Sequence, residues 1–263
     1  MKTIFVGVDV GSSRTKVAIL GENEDLLGHA VAKSGVDFAE TASKALREAL
    51  AMAGRSESEI SLAVSTGYGR ENVTFAGETK TEIGCHALGC YHYFPRAITI
   101  IDIGGQDNKV IKVDEQGRRT SFKMNRKCAA GTGAFLEEMA LRLDLDLGDM
   151  DSLARQSTDM VRLGSFCTVF SATEVLENIR NGKKVADIAK GVFYSILKRI
   201  LEMDSLTENV VMTGGVVANN PYLVTMTEEK IGRKILVAEH PQLTGAIGAA
   251  LYALRRRGVP PLP

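Results

Sequence analysis

The chain has 263 residues, of which 44% are hydrophobic and 24% charged, a balance typical of folded globular proteins rather than disordered ones. Its 32 basic side chains are matched by 32 acidic ones, so the basic excess of a dedicated nucleic-acid-binding protein is missing. No apolar run approaches the length of about 20 residues that spans a bilayer. The N-terminal apolar run is broken by Asp9, unlike a signal peptide. We expect a soluble, cytoplasmic protein with one large or two small domains.

The first 96 residues begin with short apolar runs, rich in β-branched residues, that are separated by polar turns. These runs predict strands over 4–10, 15–20, 26–32 and 60–64. Residues 37–53 have apolar side chains at helical spacing, with Asp37 as the N-cap and Gly54 as the C-cap. A second helix is predicted to begin at Thr81.

The remainder of the chain starts with the same order of strands and then adds helices. Strands are predicted over 97–103, 109–113, 120–124, 209–212 and 234–238. Helices are predicted over 133–143, 172–181, 185–203, 219–229 and 244–256. The pattern indicates two α/β domains with mixed sheets, at residues 1–96 and 97–243, with the C-terminal segment 244–257 packing on the first.

An internal repeat supports this division. Residues 9–17 align without gaps on residues 102–110, with Asp, a branched apolar residue, Gly and a Lys-Val pair at the same offsets. Each copy follows one predicted strand and leads into another. The repeat indicates two duplicated halves, and a cleft between them is the default ligand site.

The glycine turns inside the repeat suit an anion, because they offer backbone N–H groups and allow close approach. Asp9 and Asp102, at the ends of strands, suit a hydrated Mg²⁺ ion. Lys16 and Lys109 either add positive charge or face solvent. An ordinary hairpin explains one such turn alone, but the matched pair and the later Thr-Gly-Gly at 213–215 favour a ligand. No P-loop pattern occurs, and the turns lead into strands, unlike a Rossmann fingerprint.

The Asp-Val-Gly-Ser turn, the Asp-Ile-Gly-Gly turn and the later Gly-Gly-Val segment resemble the phosphate-1, phosphate-2 and adenosine motifs of the actin/hexokinase ATPase superfamily. This resemblance implies an α/β fold of duplicated ribonuclease-H-like domains, with mixed sheets and an interdomain nucleotide cleft. It implies that Asp9 and Asp102 organise Mg²⁺. It also implies that the nucleotide meets Gly11, Ser12, Ser13, Thr15 and Lys16 at the phosphates, Gly104, Gly105 and Gln106 at the γ-phosphate, and Gly214 and Gly215 at the adenosine.

The residue that positions the hydrolytic water is left open between Gln106 and Asp107. A glutamine amide can orient water without acting as a base. The alternative is that both are turn residues without a chemical role.

The cysteines Cys85, Cys90, Cys128 and Cys167 lack the Cys-x-x-Cys spacing of common metal sites. Cys128 precedes a glycine-rich turn that opens a predicted helix, where unpaired N–H groups favour a thiolate. Cys167 lies shortly after the Gly-Ser pair at 164–165. We interpret Cys85 and Cys90 as structural. Two thiolates do not complete the four-cysteine ligand set of an iron–sulfur cluster. If the protein holds such a cluster, a symmetric dimer would supply the four cysteines, two from each chain.

The string Cys-Ala-Ala-Gly-Thr-Gly at 128–133, with Asp-Ile-Gly-Gly before it and Cys167 after it, resembles one branch of the superfamily. That branch comprises the activator ATPases of 2-hydroxyacyl-CoA dehydratases and the ATPase subunits of benzoyl-CoA reductases. The resemblance implies a homodimer bridged by one oxygen-sensitive 4Fe–4S cluster, held by Cys128 and Cys167 of each chain. The segment 241–250 also resembles this branch, and places Gln242 beside the nucleotide.

By this resemblance the protein is an ATP-hydrolysing activator that receives an electron from ferredoxin or flavodoxin. It would pass the electron at low potential to an iron–sulfur partner, such as a 2-hydroxyacyl-CoA dehydratase or a reductase. One alternative is a sugar or amino-sugar kinase of the same superfamily, with Asp107 as its base. Another is an ATP-switched scaffold, or one that holds zinc through its cysteines.

Overall fold

The computed structural model describes residues 3–125, 127–165 and 167–256 of the chain, which divide into two α/β units. The first unit comprises the described parts of Met1–Arg96, Glu115–Arg119 and Leu243–Pro263. The second comprises the described parts of Ala97–Asp114 and Thr120–Gln242. Relative to the predicted domains, Glu115–Arg119 and Leu243 therefore fall in the first unit. Position 257, the end of the predicted C-terminal segment, lies outside the described residues.

The first unit is built on a five-stranded sheet with the order β3-β2-β1-β4-β5. Its strands are β1 (Ile4–Val10), β2 (Arg14–Leu20), β3 (Leu26–Lys33), β4 (Ile60–Thr66) and β5 (Glu78–Thr79). Its helices are α1 (Phe38–Ala53), α2 (Glu82–Tyr93) and, from the end of the chain, α9 (Thr244–Arg255). The sheet is mixed, because β1 pairs with β2 antiparallel and with β4 parallel.

Helix α1 has the predicted caps. The Asp37 side chain accepts from the Glu40 amide at 2.9 Å, and Gly54 takes a left-handed conformation with φ of 62°. The apolar face of α1, which includes Leu46 and Leu50, is buried in a core with β1, β2 and β3. Helix α9 packs directly on β1, where Gly7 has no side chain to hold it away.

The second unit is built on a sheet with the order β10-β9-β6-β7-β8. Its strands are β6 (Ile98–Ile103), β7 (Asn108–Val113), β8 (Arg119–Asn125), β9 (Val210–Thr213) and β10 (Leu236–Val237). Its helices are α3 (Gly133–Arg142), α4 (Asp149–Arg155), α5 (Thr168–Arg180), α6 (Val185–Leu201), α7 (Gly215–Asn219) and α8 (Pro221–Ile231). Its core is formed mainly by apolar side chains of these helices and of β6 and β9.

Two predictions about elements were wrong, and two further elements were missed. Helix α5 begins at Thr168 rather than at 172, since its first turn is largely exposed and lacks the apolar periodicity. The single helix predicted over 219–229 is two helices that meet at Asn220, where Pro221 begins α8. Helix α4 and strand β5 were not predicted, because they are too short for a periodic pattern.

The two sheets have the same strand order and the same register at their central strands. Asp9 of β1 lies opposite Lys16 on one side and Thr66 on the other. Asp102 of β6 lies opposite Lys109 and Thr213 in the same way. The fold thus places each aspartate near the carboxyl end of a central strand, beside a glycine turn. None of the described helices is long and apolar enough to cross a membrane.

Candidate functional site

The first glycine turn joins β1 to β2. Lys16 Nζ donates to Asp9 Oδ2 at 3.0 Å, and the Gly11 amide donates to the Arg14 carbonyl oxygen at 3.0 Å. Asp9 is 2% exposed, and its other oxygen, Oδ1, is buried without a hydrogen-bond donor among the described residues. Such an oxygen is costly to bury, and it fits a hydrated magnesium ion.

Two hydroxyl groups, those of Ser34 and Thr15, hold this turn in place. The Ser34 hydroxyl donates to the Gly11 carbonyl oxygen at 2.7 Å and lies 3.0 Å from the Thr15 hydroxyl. Thr15 is completely buried. The resemblance implied that Thr15 meets the phosphates, but its side chain is enclosed in the fold and contacts the Ser34 hydroxyl. Ser12 is exposed and Ser13 partly exposed.

The second glycine turn repeats the ion pair of the first in a more buried form. Lys109 Nζ lies 3.0 Å from Asp102 Oδ2 and 3.0 Å from Asp107 Oδ1. The Lys109 side chain is only 1% exposed. The alternative that Lys109 faces solvent is therefore wrong, and its charge is shared by two carboxylates within the fold. That Lys109 adds positive charge for a ligand stays a prediction.

The contact between Lys109 and Asp107 distinguishes the two candidates for the residue that positions water, Gln106 and Asp107. The Asp107 carboxylate is engaged by Lys109, whereas the Gln106 side chain is exposed on the turn. The turn itself is closed by the Gly104 amide, which donates to the Asp107 carbonyl oxygen at 2.9 Å. Gln106 is thus the more exposed residue of the pair, whereas one oxygen of Asp107 is held by Lys109.

The third glycine turn follows β9. Gly214 has a φ of 103°, a conformation that disfavours any side chain, and its amide donates to the Pro241 carbonyl oxygen at 2.9 Å. The Thr213 hydroxyl donates to the same oxygen. A Cβ on Gly215 would lie 3.4 Å from Gln242 Nε2, so Gly215 and Gln242 line the same small surface.

The four cysteines separate by exposure. Cys128 and Cys167 are exposed, whereas Cys85 and Cys90 are completely buried. Burial raises the pKa of the Cys85 thiol to about 12. The Ala130 amide donates to Cys128 Sγ at 3.5 Å, a type of bond that also tunes cysteine-ligated clusters. Two exposed thiols fit half of the ligand set of an iron–sulfur cluster.

The loop that carries Cys167 is fixed by Glu174. Its two carboxylate oxygens accept from the Gly164 amide at 2.6 Å and from the Ser165 amide at 2.9 Å. The Cys167 amide donates to the Ser165 hydroxyl at 3.1 Å, and Cys167 is the N-cap of α5. The thiol is therefore presented at the start of a helix on a braced loop.

The start of α3 differs from the expectation that unpaired N–H groups surround Cys128. The Gly133 amide donates to the Gly104 carbonyl oxygen at 2.9 Å, and the Ala134 amide donates to that of Gly105 at 2.7 Å. These amides bind the second glycine turn and do not point to the sulfur. The second turn and the segment after Cys128 are thus directly hydrogen-bonded.

Comparison with known proteins identifies the family. The model of the BadF/BadG/BcrA/BcrD ATPase family matches residues 6–253. The chain belongs to this family. The match confirms the resemblance seen in the cysteine and glycine motifs.

Named relatives share almost the full length of this family member. The chain is 43% identical over 251 residues to the activator of lactoyl-CoA dehydratase from Anaerotignum propionicum, covering 94% of this chain and 96% of that protein. It matches the crystal structure of (R)-2-hydroxyglutaryl-CoA dehydratase component A from Acidaminococcus fermentans at 36% identity and a TM-score of 0.92, over 97% and 98% of the two chains.

A second solved structure is the activator of 2-hydroxyisocaproyl-CoA dehydratase from Clostridium difficile with bound ADPNP. The chain is similar to it at 40% identity and a TM-score of 0.90, over 97% of this chain and 95% of that one. The predicted duplicated α/β, actin-like ATPase fold is confirmed by these matches and by the two mixed sheets.

Two features of this family member were missed in the sequence. Gly67, directly after Thr66, has a φ of 89°, and a Cβ there would lie 2.5 Å from Asp9 Oδ1. It is the counterpart of Gly214, since Thr66 and Thr213 occupy equivalent positions beside the two aspartates. The signal was a shared Thr-Gly pair, which is too short to stand out alone.

The second missed feature is the neighbourhood of His86. His86 is buried, and its Nδ1 lies 3.1 Å from the Thr244 hydroxyl. A Cβ on Gly245 would lie 3.0 Å from Asp9 Oδ2 and 3.1 Å from His86 Nε2. His86 therefore lies close to Asp9, on the side of the carboxylate that faces α9.

Proposed function

We propose that this chain is an ATP-hydrolysing activator that passes a low-potential electron to a partner iron–sulfur enzyme, such as a 2-hydroxyacyl-CoA dehydratase. The observation that carries the proposal is the hydrogen bonding of the Gly104-Gly105 turn to the start of α3, directly after the segment of exposed Cys128. It joins a candidate phosphate-binding turn to a candidate cluster ligand. The relatives, which are named dehydratase activators, support the same conclusion.

In this proposal Asp9 and Asp102 organise Mg²⁺, and Asp9 Oδ1 supplies an oxygen that has no donor among the described residues. Gln106 orients the hydrolytic water. The remaining nucleotide contacts come from Gly11, Ser12, Ser13, Lys16, Gly104, Gly105, Gly214, Gly215 and Gln242.

Cys128 and Cys167 of two chains hold one 4Fe–4S cluster, which when bound supplies one-electron transfer. Ligand counting supports a homodimer: the described residues of one chain contain no cluster of three or more metal-ligating side chains, and the cluster takes four cysteines. Ferredoxin or flavodoxin is the proposed electron donor, and the shared cluster is expected to be oxygen-sensitive.

A kinase function has less support. Its candidate base, Asp107, lies 3.0 Å from the buried ammonium group of Lys109. That contact occupies Oδ1, one of the two carboxylate oxygens that could accept a hydrogen bond from a substrate hydroxyl.

The test is the iron and acid-labile sulfide content of protein purified without oxygen, with visible spectra before and after dithionite. We expect about four irons per dimer and bleaching by the reductant. Cys128→Ser and Cys167→Ser should each lose the iron. Cys90→Ala is the matched control, because Cys90 is buried and should leave the iron content unchanged.

A second assay mixes the reduced protein with a purified dehydratase component and either ATP or ADP. We expect the dehydratase to be activated when ATP is present and not when ADP is present. Cys128→Ser should give no activation with ATP. Iron-free wild-type protein that still hydrolyses ATP as an intact dimer would contradict the electron-transfer proposal and leave the nucleotide assignment standing.

A further inference from the structure

Asn108 is the first residue of β7 and directly follows the second glycine turn. It is 1% exposed, and its Nδ2 donates to the carbonyl oxygen of Gly131 at 2.9 Å. Gly131 lies between Cys128 and the start of α3. This side-chain bond therefore links the turn proposed for the γ-phosphate to the segment that carries a proposed cluster ligand.

Two backbone hydrogen bonds run beside it, from Gly133 to Gly104 and from Ala134 to Gly105. The contact is also closely packed, since a Cβ on Gly131 would lie 3.2 Å from Asn108 Nδ2. A shift of the turn therefore has to be followed by the segment, or the bonds between them must break.

The other end of the Asn108 amide is unsatisfied. Its Oδ1 is buried and has no hydrogen-bond donor in the part of the chain that the structure describes. A buried amide oxygen without a donor is unfavourable, so a rearrangement of the turn that supplies a donor would be favoured. The Asn108 side chain thus makes one hydrogen bond to the segment that follows Cys128. Its Oδ1 can accept a second hydrogen bond if the turn rearranges.

We propose that Asn108 is a positioning residue that couples the nucleotide state of the second glycine turn to the exposure and reactivity of Cys128. The inference rests on the proposed function and deepens it, since it names the residue through which nucleotide acts on the cluster cysteine. Because a ligand shifts an equilibrium only through differential contacts, the γ-phosphate is the group that distinguishes the two states.

The test measures alkylation of Cys128 by iodoacetamide in the full chain after removal of the cluster, with mass spectrometry to separate the cysteines. Rates are compared with Mg²⁺ and ADP and with Mg²⁺ and the non-hydrolysable analogue ADPNP. In the wild type we expect the two Cys128 rates to differ by about fivefold or more, a typical coupling between sites. In Asn108→Ala the difference should fall below about twofold, with nucleotide affinity retained.

Asn209→Ala is the matched control. Asn209 Nδ2 also donates to a backbone carbonyl, that of Ala97 at 3.1 Å, but at the opposite end of the same sheet. It should keep the full wild-type difference. Asn108→Ser is a second variant, which keeps a polar group too short to reach Gly131, and it should behave like Asn108→Ala.

If neither Asn108 variant folds, amide hydrogen exchange of Gly133 and Ala134 in the anaerobically purified wild type decides the question. Slower exchange with ADPNP than with ADP supports the coupling, and equal exchange overturns it. Equal Cys128 rates in a wild type that binds both nucleotides, or an undiminished difference in Asn108→Ala, would overturn the inference and leave the proposed function intact. A chain that binds no nucleotide would overturn the proposed function itself.

Discussion

The four cysteines show how strongly the surroundings of a single residue decide its chemistry. Cys85 lies against β4 and α9 with no exposed surface, and burial raises the pKa of its thiol to about 12. Cys128 and Cys167 are exposed at loop and helix-start positions. The thiolate is the reactive form, so the cysteines should differ in reactivity as well as in exposure.

We predict that iodoacetamide at pH 8 modifies Cys128 and Cys167 in cluster-free native protein and leaves Cys85 unmodified. A pKa near 12 makes the thiolate fraction of Cys85 roughly a thousandfold smaller than that of an ordinary cysteine. Peptide mass spectrometry after a timed reaction measures this. Protein unfolded in urea is the control, and labelling of native Cys85 as fast as Cys128 would contradict the prediction.

The same pKa difference gives a pH dependence of stability. Above about pH 9, the ordinary value, the unfolded chain releases a proton that native Cys85 retains. The contribution of Cys85 to the free energy of unfolding is therefore complete below pH 9 and decreases as the pH rises toward 12. Urea unfolding at pH 8 and pH 10 should show a smaller decrease for Cys85→Ala than for the wild type.

The sequence identified the aspartates, lysines and glycines of the turns because their type and offset repeat. It did not show which side chains are buried, because burial depends on strands and helices distant in sequence. Thr15 is covered by Ser34, and Lys109 is enclosed with two carboxylates. His86 is brought to Asp9 only because α2 and α9 meet there.

Among the elements, α9 has the most demanding packing. The small residues of 244–256 predicted close packing, but not the partners. A Cβ on Gly248 would collide with the backbone carbonyl of Cys85 in α2, and one on Gly7 of β1 would collide with that of Ala246. Long helices with caps, such as α1, were predictable from local signals. Close helix contacts and the break at Asn220 depend on tertiary packing.

We predict that Gly248→Ala lowers the free energy of unfolding by about 1–3 kcal/mol, because α9 must move away from α2. Gly148→Ala is the matched control, since a Cβ at Gly148 meets nothing within 4 Å. It should change stability by less than about 0.5 kcal/mol. Urea unfolding followed by far-UV circular dichroism measures both, and equal effects of the two substitutions would show that the α2–α9 contact adapts without cost.

At the scale of the whole molecule, the two units share one arrangement of strands and of the residues beside their central strands. They share strand order, an Asp–Lys pair across an antiparallel ladder, and a Thr-Gly step on the parallel neighbour. The Asp–Lys pair lies within the nine-residue repeat and was visible in the sequence. The Thr-Gly step has only two residues in common and became visible through the register of β4 and β9.

The two units differ in how deeply they bury the shared ion pair. The Lys16 side chain is 16% exposed and contacts Asp9, whereas that of Lys109 is 1% exposed and contacts both Asp102 and Asp107. We predict that Lys109→Met lowers the free energy of unfolding by about 3–5 kcal/mol, because it removes the counter-charge of the buried Asp102 carboxylate and of the partly exposed Asp107 carboxylate. Lys16→Met should cost less, about 1–3 kcal/mol, because water still reaches the pair.

Because the chain has no tryptophan, far-UV circular dichroism and amide exchange are the suitable probes of unfolding. Exchange should accelerate mainly in β6 and β7 for Lys109→Met and mainly in β1 and β2 for Lys16→Met. Combining Lys109→Met with Asp102→Asn should restore part of the lost stability, since one of the uncompensated charges is removed. Equal losses in the two single variants would show that the depth of burial does not set the cost, and no recovery in the double variant would show that the uncompensated charge is not its cause.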